Sequence, residues 1–241
     1  MRSYYRRFAV FVLLVMAAAG LHAAAQEKAA PLTAQQIIRN FEKAVGKDAY
    51  LKLTTRVTKG TITIRAANLS GTFEGTEKAP NDMVVTFSLE GVGTFREGCN
   101  GKTAWSVTPE GIKDATGAEL DEKLRDCEFH GDVKMLERYP TLKYIGVRMV
   151  EGREAHAIEG GGPNRRTETF YFDAQTWLEV RREIPSDGET AAVTLGDYRD
   201  VDGIKFPFLV SESKSGMVMR IQQVRHNVAV DPAVFRKPAA N

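Results

Sequence analysis

Hydrophobic and polar residues alternate with two different periods along this chain, and the first of them is helical. Apolar residues recur every three or four positions from Ile37 to Val45. Thr33 precedes this run and is a residue type that caps helix N-termini, whereas Gly46 follows it and is a residue type that commonly ends helices. The pattern therefore predicts an amphipathic helix between Thr33 and Gly46, whose apolar side must pack against another element.

From about residue 53 the period changes to two, as in β-strands with one buried and one solvated face. The segments 61–64 and 83–89 alternate in this way, and Asn100-Gly101 is a strong hairpin signal between two such runs. A second amphipathic helix, over about residues 116–129, interrupts the strands and ends before Pro140. Roughly ten strands joined by short turns then predict a mainly β protein with one large antiparallel sheet and two or three helices.

The first 25 residues follow a different pattern. Arginines at positions 2, 6 and 7 precede an apolar run over residues 8–20, and three alanines at 23–25 follow it. This order is typical of a secretory signal peptide, and the apolar run is too short to span a bilayer as a helix. We therefore expect a cleavable signal peptide at 1–25, a flexible leader at 26–32, and a single domain at 33–241 that works in the periplasm.

Without the predicted signal peptide the formal net charge of the chain changes sign, which affects the kinds of partner that the chain could bind. Removing its three arginines from the 33 basic residues turns the formal net charge of +2 into −1 against the 31 acidic residues. No stripe of lysine and arginine remains in the rest of the chain, so nothing in the composition indicates binding to nucleic acid. No later segment is apolar for long enough to act as a transmembrane anchor.

The chain contains two cysteines, Cys99 and Cys127. In an exported protein an even number of cysteines indicates a disulfide, which here would join the second helix to a strand. Two unpaired thiols are the alternative. The spacing does not match a zinc site or a thiol-exchange motif.

Residues that could support catalysis or metal binding are sparse. The histidines that follow the signal segment, His130, His156 and His226, lie far apart in the sequence. Acidic residues around His130 are compatible with a metal, but a charged helix end explains them equally well. The glycine run at 160–162 precedes Pro163 rather than a helix that could bind phosphate. We therefore expect neither an enzyme nor a bound metal or cofactor.

A set of large apolar residues occupies alternating strand positions and forms the candidate ligand site. Its members are Met83, Val85, Phe87, Phe95, Trp105, Phe170, Phe172, Phe206 and Phe208. These side chains could fill an ordinary core between sheet and helices. They could also line a cavity for an acyl chain, because large sheets curl and a partly closed sheet encloses space. The alternating pattern is compatible with both.

Three segments carry a resemblance to a known family. The chain resembles the outer-membrane lipoprotein-sorting proteins and their LolA-like relatives in Gly152–His156 (GREAH), Tyr171–Arg182 (YFDAQTWLEVRR) and Asp197–Phe208 (DYRDVDGIKFPF). All three segments include hairpin turns. The resemblance implies a half-open β-barrel, which is a single curved sheet with helices against its concave face. It also implies that the protein carries lipids or lipid-modified proteins across the periplasm.

Two hypotheses for the function follow. The first is a periplasmic carrier that holds the acyl chain of a lipid or lipoprotein non-covalently between sheet and helices, with an envelope protein as possible donor or acceptor. The alternative is a non-transporting envelope protein that uses the same fold to bind a partner protein or to sense the state of the envelope.

Overall fold

A computed structural model describes residues 32–161, 167–186 and 188–239. The predicted signal peptide, the leader up to residue 31, and residues 162–164 of the glycine loop lie outside these ranges. Within the ranges, no helix is both long and apolar enough to cross a membrane.

The first helix begins and ends where the sequence predicts. Helix α1 spans Ala34–Val45 after a reciprocal cap, in which the Thr33 hydroxyl accepts a hydrogen bond from the Gln36 backbone N–H and the Gln36 side chain accepts one from Thr33. Gly46 ends the helix in a left-handed conformation, with φ of 86°. The other helices are α2 (Lys47–Tyr50), α3 (Gly117–Asp126) and α4 (Met135–Arg138). The described residues thus contain four helices, two of them a single turn long, where two or three were predicted.

The strands form one antiparallel sheet that is not closed. They are β1 (Thr55–Ile64), β2 (Leu69–Lys78), β3 (Asp82–Leu89), β4 (Gly93–Asn100), β5 (Ala104–Thr108), β6 (Gly111–Asp114), β7 (Thr141–Val150), β8 (Arg153–Gly161), β9 (Thr167–Asp173), β10 (Glu179–Ser186), β11 (Glu189–Val201), β12 (Ile204–Glu212) and β13 (Met217–His226). The predicted single curved sheet, a half-open barrel with helices on its concave face, is confirmed.

The order of the strands follows from the short turns. Successive strands pair as hairpins from β1 outward to β6 and from β7 inward to β13, and β1 pairs with β13 at the centre of the sheet. Helices α3 and α4 lie in the connection between the two edge strands, β6 and β7. The predicted hairpin at Asn100 is present, with Gly101 and Lys102 at its tip and the Asn100 side chain accepting hydrogen bonds from the backbone of residues 102 and 103.

Cross-strand pairing determines which side chains share a face. Phe73 pairs with Phe87, and Phe87 pairs with Phe95, so these three rings project from one face of the sheet. Trp105 pairs with Gly98, three positions from Phe95 on β4, and therefore projects from the opposite face. The helices pack on another part of the same face, since Cys99 shares the face of Phe95 on β4 and is bonded to Cys127 at the end of α3.

The predicted disulfide joins Cys99 of β4 to Cys127 at the end of α3. Both cysteines are buried, in a small cluster with Leu120 and Leu124 of the helix. The bond therefore holds α3 against the helix-bearing face near the β6 edge of the sheet.

The junction between α1 and α2 lies directly against the turn between β11 and β12. A Cβ atom built on Gly46 would lie 2.3 Å from the carbonyl oxygen of Gly203, which is closer than real Cβ contacts allow. Gly46 also has a positive φ, so both the lack of space for a Cβ atom and the backbone conformation require glycine at this position.

We expect a Gly46→Ala variant to lose about 2 kcal/mol of unfolding free energy, from backbone strain and from the displaced turn together. Gly152→Ala is the matched control, because Gly152 has φ of 80° and open space around its Cβ position. That control should lose only about 1 kcal/mol, from strain alone. Denaturant unfolding of the two variants measures the difference, and equal losses would contradict a tight contact at Gly203.

Candidate functional site

A cavity of about 280 Å³ lies between the helices and the concave face of the sheet. Its walls come from α1, α2, the 3₁₀ turn at Gly131–Val133, and strands β1, β10, β11 and β12. The lining residues are Phe41, Val45, Tyr50, Arg56, Asp132, Val133, Glu179, Arg182, Ile184, Val193, Leu195, Tyr198, Lys205, Phe206 and Pro207. Most of these side chains are apolar or aromatic, which is typical of sites for apolar ligands.

The helical wall is built by the apolar stripe of α1. Ile37 and Ile38 are completely buried in the core below the helix, and Phe41 and Val45 reach the cavity. The ring of Phe41 packs 5.1 Å from the ring of Phe172 on β9, measured between centroids. The amphipathic helix predicted from the sequence therefore forms one side of the cavity.

The sheet wall combines aliphatic side chains with two buried ion pairs, the first of which involves Arg56 on β1. Its guanidinium makes two hydrogen bonds to the carboxylate of Glu77, at 2.6 and 2.7 Å, and donates a third to the Tyr50 hydroxyl at 2.7 Å. The rings of Tyr50, Phe129 and Phe206 surround the guanidinium, with centroids 5.0 to 5.6 Å from its central carbon. The faces of aromatic rings attract cations, so these contacts help to stabilise the positive charge of the buried Arg56 side chain.

The second ion pair lies on β10. Arg182 makes two hydrogen bonds to the carboxylate of Glu179, at 2.8 and 3.0 Å, and its guanidinium lies 5.0 Å from the ring centroid of Phe170. The Tyr198 hydroxyl donates to the backbone carbonyl of Glu179 at 2.7 Å. Both arginines of the cavity wall are thus held by a bidentate carboxylate, the strongest geometry for this pair of groups.

Burial determines the protonation of these groups. Burial raises the pKa of Tyr50 to about 12 and raises the pKa of Glu179 above its usual range, while Arg182 opposes the rise at Glu179. Burial alone would lower the pKa of Arg56, but Glu77 and Tyr50 raise it well above the usual value. The arginines therefore stay charged and the tyrosines neutral at physiological pH.

Two charged residues lie at the mouth of the cavity. More than two fifths of the Lys205 side chain and more than half of the Asp132 side chain are exposed to solvent. Lys205 forms an ion pair with Asp200 at 3.2 Å, and Asp132 lies 3.6 Å from Arg182. The charged mouth and the apolar interior give the cavity an amphipathic character.

The residues that the sequence nominated for the ligand site lie in several places. Phe206 lines the cavity, and Phe170 and Phe172 are buried beneath α1 in the core that adjoins it. Phe87 and Phe208 belong to a second apolar cluster on β1–β3 and β11–β13, which meets the cavity at Phe206. We call it the open apolar cluster because none of its members lies on a described helix; they are Ile62, Ile64, Phe73, Phe87, Leu89, Val201, Phe206, Phe208, Val210, Met217, Met219, Ile221 and Val224.

The remaining nominated residues lie farther from the cavity. Met83 packs against the disulfide cluster, and Val85 and Phe95 pair with neighbours on β4 and β3. Trp105 lies on the opposite face of the sheet, where it packs against Val84 and against Phe235 in the C-terminal 3₁₀ turn Pro232–Phe235. Trp105 is therefore separated from the cavity by the sheet itself.

Most of the cavity residues were not nominated from the sequence. Ile184, Val193 and Leu195 lie on strands that the alternation predicts, but a strand pattern does not show which strands face a helix. Arg56 and Arg182 look like solvated strand residues in the sequence, and only their buried carboxylate partners distinguish them. The apolar stripe of α1 was the sequence pattern that pointed to the cavity, because Phe41 and Val45 had to pack against another element of the fold.

The histidines give the protein a pH dependence that can be measured. Burial lowers the pKa of His130, His156 and His226 below the usual value of 6.5; Asp202, bonded to the Nδ1 atom of His226, opposes this shift. As the pH falls through 6.5, the unfolded chain takes up protons before the folded one does. We therefore expect the free energy of unfolding to fall between pH 7.5 and pH 6, as measured by urea unfolding at several pH values.

A His156→Gln variant is the control for this prediction. Glutamine keeps a polar group beside the Tyr144 hydroxyl, which lies 3.0 Å from Nδ1 of His156, but it does not titrate. Stability should then fall less steeply with pH than in the parent protein. A slope that is unchanged in this variant would show that other groups cause the pH dependence.

The open antiparallel sheet with its helices is similar to the fold of LolA superfamily proteins, which confirms the resemblance at the level of fold. A LolA superfamily protein from Nitrosomonas europaea superposes with a TM-score of 0.57 at 12% identity, covering 86% of this chain and 99% of that chain. A domain described as an outer-membrane lipoprotein-sorting protein, from Vibrio parahaemolyticus, gives 0.56 at 10% identity, with coverages of 84% and 97%.

A third structure extends this group. A DUF1329 family protein from Desulfovibrio piger superposes with a TM-score of 0.60 at 13% identity, covering 83% of this chain and 97% of that chain. No family model and no curated protein matches the sequence. The similarity therefore lies in the fold, at sequence identities too low to indicate a shared function.

Proposed function

We propose that this protein is a periplasmic carrier or binding protein for the acyl chains of lipids or lipoproteins. The observation that supports this proposal most directly is the largely apolar cavity between α1 and strands β10–β12, whose lining includes the exposed charges of Asp132 and Lys205. The apolar walls suit a hydrocarbon chain, and the charged mouth suits the polar end of the same molecule. The sequence resemblance to lipoprotein-sorting proteins supports the same class of ligand.

Binding requires no covalent step in this proposal. Each methylene group transferred from water to the cavity contributes about 0.8 kcal/mol, so a short acyl segment is enough for measurable affinity. Loss of chain and side-chain freedom offsets part of this gain. The signal-like N-terminus supports a location in the periplasm, where such chains must cross an aqueous space between two membranes.

Native mass spectrometry on protein purified from periplasm without detergent tests this function. We expect a mass increase that corresponds to a co-purified lipid or acylated peptide, and lipid extraction of the same sample identifies the molecule. A protein that has only its own mass, and that keeps it after incubation with fatty acids, phospholipids and lipopeptides, would contradict the proposal. A partner protein in the same spectrum would favour the non-transporting alternative.

A further inference from the structure

The size of the cavity limits what it can hold. An engineered apolar cavity of about 150 Å³ holds one benzene molecule, which has six carbon atoms. In proportion, the cavity of about 280 Å³ has room for about eleven carbon atoms. This volume suits a single acyl chain of medium length and is too small for two such chains.

Contacts between the helices and the sheet hold the walls of the cavity at this spacing. The Tyr50 hydroxyl of α2 accepts a hydrogen bond from Arg56, and Gly46 packs on the carbonyl of Gly203. On the other side of α1, Phe41 packs against Phe172. Widening the cavity for a second chain would break these contacts, including the hydrogen bond between Tyr50 and the buried Arg56 side chain.

The charges of the cavity indicate where the polar end of a ligand lies. Inside, Arg56 and Arg182 are already paired with Glu77 and Glu179, so a ligand anion would have to displace a bidentate carboxylate. At the mouth, the exposed charges are of both signs. The head of the ligand therefore lies outside, and the fit depends on the chain and not on the charge of the head.

We propose that the cavity accepts one acyl chain of about ten carbons per protein molecule and has no room for the second chain of a two-chain lipid. This inference rests on the proposed function and specifies its ligand. Free fatty acids, lysophospholipids and singly acylated peptides each carry a single acyl chain, so all three belong to this class of ligand.

Calorimetric titration of the full mature chain with fatty acids of about 6 to 16 carbons, each below its micelle concentration, tests the chain-length limit. We expect affinity to rise about fourfold per methylene up to about ten carbons and then to level off. Monodecanoyl and didecanoyl phosphatidylcholine, which share one head group, test the chain number. Because the cavity holds only one chain, the affinity for the two-chain lipid should exceed that for the one-chain lipid by no more than tenfold.

Variants of the cavity wall separate a size limit from a general effect on folding. Val193→Phe and Ile184→Phe add bulk inside the cavity, and the affinity should then level off roughly two to four carbons earlier. Val147→Phe adds the same bulk to an exposed position on the edge strand β7 and should leave the limit where it is. A limit that stays unchanged in both cavity variants would overturn the inference.

The outcomes distinguish this inference from the proposed function. Affinity that keeps rising to sixteen carbons, or didecanoyl lipid that binds more than tenfold more tightly than monodecanoyl lipid, would overturn the single-chain limit and would leave the carrier function in place. The open apolar cluster would then be the place to look for the second chain. If none of these molecules binds, the limit is wrong, and the carrier function is wrong as well if the lipopeptides of the mass-spectrometry test also fail to bind.

Discussion

Replacing the Glu77 carboxylate, in a Glu77→Gln variant, is expected to lower the free energy of unfolding by about 3–5 kcal/mol. Glutamine has nearly the same shape, but it leaves the guanidinium of Arg56 charged and without a counter-ion. Less than a tenth of the Arg56 side chain is exposed, so water cannot replace the lost carboxylate. Urea unfolding of the variant and the parent protein measures the loss.

Two further variants test the cause of this loss. Glu74→Gln removes the carboxylate of a comparable β1–β2 ion pair, with Lys59 at 2.8 Å, in which both side chains are about half exposed. That variant should lose less than about 1 kcal/mol. An Arg56→Met, Glu77→Leu double variant removes both buried charges and should recover most of the stability lost in Glu77→Gln. If Glu77→Gln costs no more than Glu74→Gln, the Arg56 pair is not buried as described.

Placing a carboxylate inside the cavity, in a Leu195→Asp variant, is expected to weaken acyl-chain binding at least 100-fold. An ionised carboxylate among the apolar walls holds water in the cavity, and a hydrocarbon chain could enter only by displacing that water and leaving the charge without solvation. Leu195 is partly exposed to solvent, so the folded protein should tolerate the change at a cost of about 1–2 kcal/mol. Decanoate titration and urea unfolding of the same sample measure the two effects.

Trp105→Ala is the matched control, because we expect it to lower the stability without weakening acyl-chain binding. Trp105 is almost completely buried on the far side of the sheet, against Val84 and Phe235. Its removal leaves a large void and should cost about 3–5 kcal/mol of stability. Decanoate affinity, measured where the variant is still folded, should remain within about twofold of the parent value because the sheet separates Trp105 from the cavity. Loss of binding in Trp105→Ala alone would contradict this location of the ligand.

The local pattern was sufficient to predict the elements that depend on local chemistry. The α1 helix was predictable because its cap, its apolar stripe and its terminal glycine all lie within fourteen residues, Thr33 to Gly46. The hairpin turns were predictable for the same reason, since Asp173 bonds to the backbone of residues 175 and 176 only two and three positions away. The disulfide was expected from two cysteines and the predicted signal peptide, and the structure decided between this bond and two unpaired thiols.

The candidate site was predictable only in part, because alternation shows that residues share a face but not which face is covered. Phe206 was nominated and lines the cavity, whereas Trp105 was nominated on the same grounds and lies behind the sheet. A shift of one residue in the register of a strand moves every side chain to the opposite face of the sheet. Register therefore decides whether a residue such as Phe206 or Trp105 faces the cavity. Register between Gly98 and Trp105 depends on the hairpin at Gly101, whose exact tip the sequence pattern placed one residue too early.

By itself the sequence determined the mainly β class, the capped first helix and the antiparallel hairpins, since each follows from residues that are near one another, and it allowed only one disulfide within the chain. Only the tertiary structure decided which strands lie beneath α1 and which buried carboxylates neutralise Arg56 and Arg182. The contact of the α1–α2 junction with the sheet joins Gly46 to Gly203, which are 157 positions apart. Such contacts depend on the curvature of the whole sheet, which is a sum of small twists that no single segment encodes.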